Sequence, residues 1–152
     1  MISIAIAIFW LVLDQLTKII LPKVMSWYET IEIIPGVLNI SLVKNYGAAF
    51  GMLAGKSWLL VPIAVVFVVY LIVEREKINS IPLARWGAPL AAAGALGNAI
   101  DRAFLGYVVD FIDVPFFSVF NVADIGITIG IFLLLVGLVL NERNHKDGAS
   151  DV

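Results

Sequence analysis

The side chains in this chain that are able to do chemistry are carboxylates, amides, lysines and arginines. There is no cysteine, which excludes thiolate nucleophiles, disulfides, Cys-ligated zinc and iron–sulfur clusters together. The one histidine, His145, stands in a polar C-terminal stretch, so a Ser-His-Asp triad or a multi-histidine metal site is hard to build. What remains is Asp14 and Lys18; Asn45; Asn98, Asp101 and Arg102; Asp110 and Asp113; Asn121 and Asp124. Two carboxylates brought together cannot both ionise freely, so one keeps its proton. The ionised member can take a proton from water and the protonated member can hydrogen-bond to a carbonyl. Asp110 and Asp124 suit that arrangement, which is the one an aspartic peptidase uses. Carboxylates in a membrane also bind cations or relay protons, and two aspartates alone do not decide between these. Asp113 competes for either place, and otherwise reads as a solvated loop carboxylate.

The elements that must position these groups are set by composition. The 152 residues are 61% hydrophobic and 14% charged, with a mean hydropathy of +1.00. A soluble domain is about 45–50% apolar and about 25% charged. Disorder is excluded, because disordered chains are poor in apolar residues. Net charge is −2 and no basic block is present, so no nucleic-acid partner is expected. About 20 apolar residues cross a bilayer. Four runs qualify, at about 2–21, 57–73, 83–100 and 122–140. The first ends at Pro22, lacks a basic start and holds Asp14 and Lys18, so it reads as a retained helix and not a secretory signal. Between the first two spans, Thr30–Ile34 and Val37–Val43 flank Pro35-Gly36, predicting a small β-rich segment at the membrane surface within 22–56. An open sheet edge has no partner in lipid, so this segment cannot span. The expected fold is an all-α polytopic membrane protein, residues 1–152 forming a single integral domain with four transmembrane helices.

Counting along four spans brings the polar residues together. The end of span one, the start of two, the end of three and the start of four share one side, and all the residues named above fall near it. Within spans, ionisable groups cost about 2.5–3.5 kcal/mol each, so each needs an explanation. Asp14 and Lys18 are four apart, which predicts an ion pair on one helix face or a role in positioning substrate. Gly87, Ala91, Gly94, Asn98 and Asp101 form a stripe running from small residues into polar ones, and Gly126 and Gly130 stand four apart in span four; both favour close helix crossings. Asp101 and Arg102 point about 100° apart on a helix and need not pair. Arg102 suits carbonyl or carboxylate partners or caps its helix, and Asn98 can hold peptide groups. With Lys18 and Arg102 set aside as partners within the membrane, basic residues favour the opposite side, placing both termini in the cytoplasm.

Five segments carry a resemblance: Asp14-Gln15-x-x-Lys18; Asn45-x-Gly47-Ala48-Ala49-Phe50; Gly94-x-x-Gly97-Asn98-x-x-Asp101-Arg102; Val109-Asp110-Phe111-Ile112; and Phe120-Asn121-x-Ala123-Asp124. In this order and spacing the chain resembles bacterial lipoprotein signal peptidase, or signal peptidase II, over nearly its whole length. One departure is Ala93-Gly94, where the family often has two glycines. The resemblance implies an intramembrane aspartyl endopeptidase of the bacterial inner membrane, with its site near the outer face. It would remove signal peptides from diacylglyceryl-modified prolipoproteins by cutting before the lipidated cysteine. By motif, Asp110 and Asp124 are the catalytic pair; Asn45, Asn98, Arg102 and Asn121 contact substrate or inhibitor; Asp14, Lys18 and Asp101 support the site. No metal or cofactor is implied. The expected partners are lipidated prolipoprotein, membrane lipid and globomycin-type inhibitors, with the chain a monomer.

Three other readings fit less of the sequence. A channel or transporter would need polar groups through its depth, whereas these gather at one face. A noncatalytic assembly factor leaves the placement of Asp110 and Asp124 unexplained. A Ser-Lys peptidase on Lys18 lacks a convincingly placed serine.

Overall fold

The computed structural model describes residues 2–47 and 56–150, with side chains over 3–143. Ala48, Ala49 and Phe50 of the second motif, and the side chain of His145, lie outside the described residues. In chain order the elements are α1 (Ile2–Val24), β1 (Thr30–Ile34), β2 (Leu38–Asn45), a 3-10 turn (Ser57–Leu59), α2 (Leu60–Val73), α3 (Arg75–Asn79), α4 (Ala84–Leu105), β3 (Val108–Asp113) and α5 (Val122–Ser150). The chain is mostly helical with one three-stranded antiparallel sheet, ordered β1-β2-β3.

Among the described residues, two helices are long and apolar enough to cross a membrane. They are α1 over Ser3–Val24 and α5 over Val122–Arg143, each of 22 residues, with mean hydropathy 2.0 and 2.5. The expected second span is a shorter apolar helix over Ser57–Val73. The expected third span is the centre of the bundle. Along α4, eleven residues are buried, most of them Ala or Gly. A Cβ on Gly87 would strike the Gly130 carbonyl, and one on Gly130 would strike the Ala91 amide. The backbones of α4 and α5 therefore cross in contact, as the two small-residue patterns predict. The outward helix faces are apolar, with Val66 68% and Phe132 64% exposed, while Asp14 is 0% exposed. This inverts the usual soluble pattern.

Several boundaries differ from the sequence expectation. Pro22 does not end the first helix; it sits in its last turn, and the Met25 N–H still donates to the Leu21 carbonyl at 3.0 Å. α4 runs five residues past Ile100, so Asp101 and Arg102 are helical, and it stops at Gly106, whose φ of +79° suits a glycine at a helix C-terminus. The region holding Asp110 and Asp113 is not a plain connection. It is β3, paired with β2, so the β segment draws on both inter-helix regions.

The sheet is shaped by two local features. The Ile34 carbonyl accepts the Val37 N–H at 3.0 Å across Pro35-Gly36, with Gly36 at φ +71°, the turn that Pro-Gly favours. On the other side, Ile40 pairs with Ile112 but Val43 pairs with Asp110. Three steps on β2 match two on β3, so β2 carries a bulge. Cross-strand partners share a face. Without the bulge Lys44 would share the face of Asp110. With it Asn45 does, and Lys44 passes to the opposite face, 4.6 Å above the Trp27 ring and 5.0 Å from that of Tyr107. Met25, Leu42, Val109 and Phe111 form the apolar cluster that joins this sheet to the helices.

Candidate active site

Asp110 is buried on β3, and both of its carboxylate oxygens accept amide hydrogens. Asn45 Nδ2 donates to Oδ2 at 2.8 Å, and Asn121 Nδ2 donates to Oδ1 at 2.7 Å. Each amide is itself held in one orientation. Asn45 Oδ1 accepts the Gly47 N–H at 2.9 Å, and Asn121 Oδ1 accepts the Asp124 N–H at 2.9 Å.

Asp124 sits in the first turn of α5, three residues after Asn121. Its Oδ2 accepts the Asn121 N–H at 3.1 Å while Asn121 Oδ1 receives its own N–H. This is a reciprocal capping box at a helix N-terminus, and it locks one carboxylate to the residue that holds the other. Asn98 Nδ2 donates to Asp124 Oδ1 at 2.7 Å. Asn98 Oδ1 accepts from Lys18 Nζ at 2.9 Å and from Asn121 Nδ2 at 3.0 Å. Asn98 thus couples Asp124, Asn121 and a buried cation.

Behind them lies an ion cluster. Lys18 Nζ is 3.0 Å from Asp14 Oδ2 and 3.2 Å from Asp101 Oδ2. The i,i+4 pair expected on the first helix forms and gains a third member. Asp14 Oδ1 also accepts the Ala123 N–H at 2.8 Å, one of the amides at the start of α5 that lack a helical partner. Asp101 Oδ2 likewise accepts the Val109 N–H at 3.0 Å. One carboxylate fixes the start of the helix carrying Asp124, and the other fixes the strand carrying Asp110. A Cβ on Gly97 would strike the Asp14 carboxylate, so glycine clears its place. The structure thus brings together Asp14, Lys18, Asn45, Asn98, Asp101, Asp110, Asn121 and Asp124, the convergence expected from counting spans.

Arg102 Nη2 donates to the Gly47 carbonyl at 3.1 Å, and its Nη1 reaches the Asn98 carbonyl at 3.4 Å. Among the described residues its buried Nε has no hydrogen-bond partner. Asp113 stands apart. It is a strand residue, not a solvated loop carboxylate, and its Oδ2 accepts from Ser41 Oγ at 2.6 Å. It lies three positions after Asp110, an odd step along the strand, so it faces the other side of the sheet.

Two contributors were given no role by the sequence reading, one of them Gln15 of the first motif. Gln15 Nε2 contacts Asp14 Oδ2 at 3.1 Å and Asp101 Oδ1 at 3.3 Å. Trp10 Nε1 donates to the Val122 carbonyl at 3.0 Å. A glutamine and an indole N–H inside an apolar run each require a partner, and that was the available signal.

The carboxylates open on a cleft of about 410 Å³ whose polar lining includes Asn45, Asn98, Arg102, Asp110 and Asp124 and whose apolar lining includes Phe117, Phe120, Ile125 and Ile129. A second space of about 320 Å³ shares Asn98, Arg102 and Asp124 and is walled by Ile63, Phe67, Ala95 and Ile131. No group of three or more His, Cys, Asp or Glu arranged to hold a metal occurs among the described residues. Burial, then the charge of Asp124, pushes the Asp110 carboxyl up to about 7 against the bonds from Asn45 and Asn121. At neutral pH Asp110 is therefore about half protonated, and it holds its proton more fully below that. A reaction that needs this proton slows as pH rises through about 7, which a single-turnover pH profile reads. The stability sign is the same. The folded value lies above the ordinary 3.8, so this contribution is full below about 4 and is lost as pH rises toward 7.

Comparison with known proteins agrees in extent and kind. A family model described as signal peptidase (SPase) II matches residues 6–140. Lipoprotein signal peptidase of Staphylococcus aureus is 39% identical over 152 residues, covering 95% of this chain and 92% of the relative. A solved structure described as a bacterial membrane enzyme at 2.3 Å superposes with a TM-score of 0.87 at 38% identity, covering 93% of this chain and 90% of that one. Another, described in the same words at 1.9 Å, gives 0.81 at 39% identity, with coverage of 90% and 91%.

Proposed function

Since the chain belongs to the signal peptidase II family, we propose that Asp110 and Asp124 are its catalytic pair. The chain is an aspartic-type protease of the membrane that removes signal peptides from prolipoproteins. The observation that carries the assignment is the pairing itself. Asp110 and Asp124 share Asn121 as an anchor and line one cleft whose remaining wall is largely apolar.

The ionised member of the pair takes a proton from water as the water oxygen attacks the scissile carbonyl carbon. The protonated member donates to the carbonyl oxygen, giving a neutral tetrahedral diol. The C–N bond then breaks as the now protonated aspartate gives its proton to the leaving amine and the other aspartate takes a proton from a diol hydroxyl, so the acid product leaves and the pair again holds one proton. No covalent intermediate forms. The amides of Asn45, Asn98 and Asn121 hold the carboxylates in place, and the substrate contacts expected of them are made from the same positions. Arg102 Nε, without a partner among the described residues, donates to a substrate carbonyl. Asp14, Lys18 and Asp101 support the site through the starts of α5 and β3.

The domain, residues 1–152, crosses the bacterial inner membrane four times, with α2 and α4 joining α1 and α5. Its termini are cytoplasmic and its site lies near the outer face. The apolar cleft walls support a substrate carrying diacylglycerol, cut before the lipidated cysteine, and a globomycin-type inhibitor at the same place. The enzyme acts as a monomer within membrane lipid. A conduction path is disfavoured, because the opposite end is closed by Leu71, Ile78, Ile81, Ala84 and Ala88.

The experiment is cleavage in nanodiscs of one prolipoprotein with and without its diacylglyceryl group. The lipidated form is cleaved at one bond and the unlipidated form poorly, because the anchor brings the bond to the site and adds apolar contact. Equal turnover of both removes the lipid from the mechanism.

A further inference from the structure

Among the described residues, two non-glycine residues hold a positive φ: Tyr28 at +68° and Phe116 at +67°. Bulky L side chains are rare there, and turns that need this conformation use glycine or asparagine. Each residue is third in a four-residue turn. The Glu29 N–H donates to the Ser26 carbonyl at 3.1 Å, and the Phe117 N–H to the Val114 carbonyl at 3.2 Å. Both rings point outward, Tyr28 67% and Phe116 105% exposed. A strained backbone kept twice together with an outward aromatic ring points to something that binds the ring.

Their places in the chain say what that is. Tyr28 follows α1 and precedes β1; Phe116 follows β3 and precedes α5. Those helices are the two that, among the described residues, are long and apolar enough to span. Each strained aromatic therefore stands where a spanning helix meets the sheet, at the end holding Asp110 and Asp124. The other two long helices add one exposed aromatic each at this end. Trp58, 63% exposed, opens the turn into α2, and Phe104, 83% exposed, closes α4. All four stand at the ends of helices on the side that holds Asp110 and Asp124, where Trp and Tyr gather at a membrane–water boundary and exposed Phe rings add apolar area on its acyl side.

Resting on the four-span reading above, we infer that Tyr28, Trp58, Phe104 and Phe116 form an aromatic belt seated in the headgroup–acyl boundary of the bilayer. It fixes the depth of the Asp110–Asp124 cleft relative to the scissile bond. The two turns hold Tyr28 and Phe116 rigidly enough to set that depth, and glycine in their place would keep the turn and lose the anchor.

The absence of native cysteine permits a direct test. Single variants Tyr28→Cys and Phe116→Cys are nitroxide-labelled in phospholipid nanodiscs, with Val66→Cys on α2 as the deep reference and Glu76→Cys on α3 as the aqueous one. Collisions with oxygen and with a neutral nickel chelate report depth. Both aromatic positions are expected to favour oxygen, at a shallower level than Val66. Nickel-dominated collisions like those at Glu76 overturn the belt, as does shielding that appears only when lipidated prolipoprotein is added. If Val66 also reads as aqueous, the spanning reading falls and the belt with it. Phe116→Gly and Tyr28→Gly are expected to keep or raise the melting temperature in detergent. Their cleavage drops several-fold in nanodiscs and not in micelles. Equal loss in both media overturns the role in depth.

Discussion

Asp110→Asn and Asp124→Asn each yield a folded enzyme that no longer cleaves lipidated prolipoprotein. A carboxamide can neither take the proton of the attacking water nor return it to the leaving amine, so the loss is of chemistry and not of binding. Folding survives because two effects oppose. Replacing Asp110 removes a buried acid that sits close to the charge of Asp124. It also sets an NH2 group against the amide of Asn45 or Asn121, both held in orientation by Gly47 and Asp124. A mispaired buried donor costs roughly 1–3 kcal/mol, and relief of the buried charge offsets part of it. The melting curve of Asp110→Asn should also lose its share of the pH dependence between about 4 and 7, the range set by its raised value. Asp113→Asn is the internal control, since its bond to Ser41 lies on the other face of the sheet, and it keeps most of the turnover. Single-turnover cleavage with a melting curve for each variant decides the matter. A folded Asp124→Asn enzyme with near-normal turnover would sink the two-carboxylate mechanism.

How much of this was legible beforehand depends on the reach of each interaction. The Asp14–Lys18 pair is local, four residues on one helix, and spacing alone places it. The Gly87–Ala91–Gly94–Asn98 stripe is also local and correctly marks the face of α4 that α5 meets. Convergence of the polar residues follows from the order of the spans. What was not legible involves partners far along the chain. β3 is six residues long and finds its partner strand more than sixty residues earlier, and its mixed pattern reads equally well as a connection. The bulge in β2 leaves no mark in composition, yet it decides that Asn45 and not Lys44 stands beside Asp110. The second task of Asp14, holding the Ala123 N–H at the start of α5, spans 109 residues and cannot be read from a helix wheel. Pro22 misled for the opposite reason. A local rule, that proline ends helices, gives way where only the last turn is affected.

Gly94→Ala should cost activity out of proportion to its single methyl group. An added Cβ would strike the Ala123 carbonyl and lie 2.8 Å from Ile127 Cγ1 and 2.9 Å from the Ile127 amide. Two of these three neighbours are backbone of the first turns of α5, so no side-chain rotation relieves the clash. The helix must retreat from α4, and overpacking of this kind costs about 1–3 kcal/mol. The retreat acts where the carboxylates are held. Asp124 follows Ala123 directly and is bound to α4 through Asn98 at 2.7 Å, while Asp14 grips the Ala123 N–H at 2.8 Å. A shift of a few tenths of an ångström stretches both bonds and turns Asp124 away from Asp110. Misplacement on the scale of 1 Å can cost on the order of 100-fold in rate, so a loss of roughly tenfold or more is expected, together with a lowered melting temperature. Gly106→Ala separates this from a general intolerance of added methyl groups. Gly106 has open space around its Cβ position and φ +79°, so alanine there brings backbone strain alone, and turnover should hold once the folded fraction is matched. Normal melting and normal cleavage in Gly94→Ala would show that α5 does not need its close seat on α4 to present Asp124.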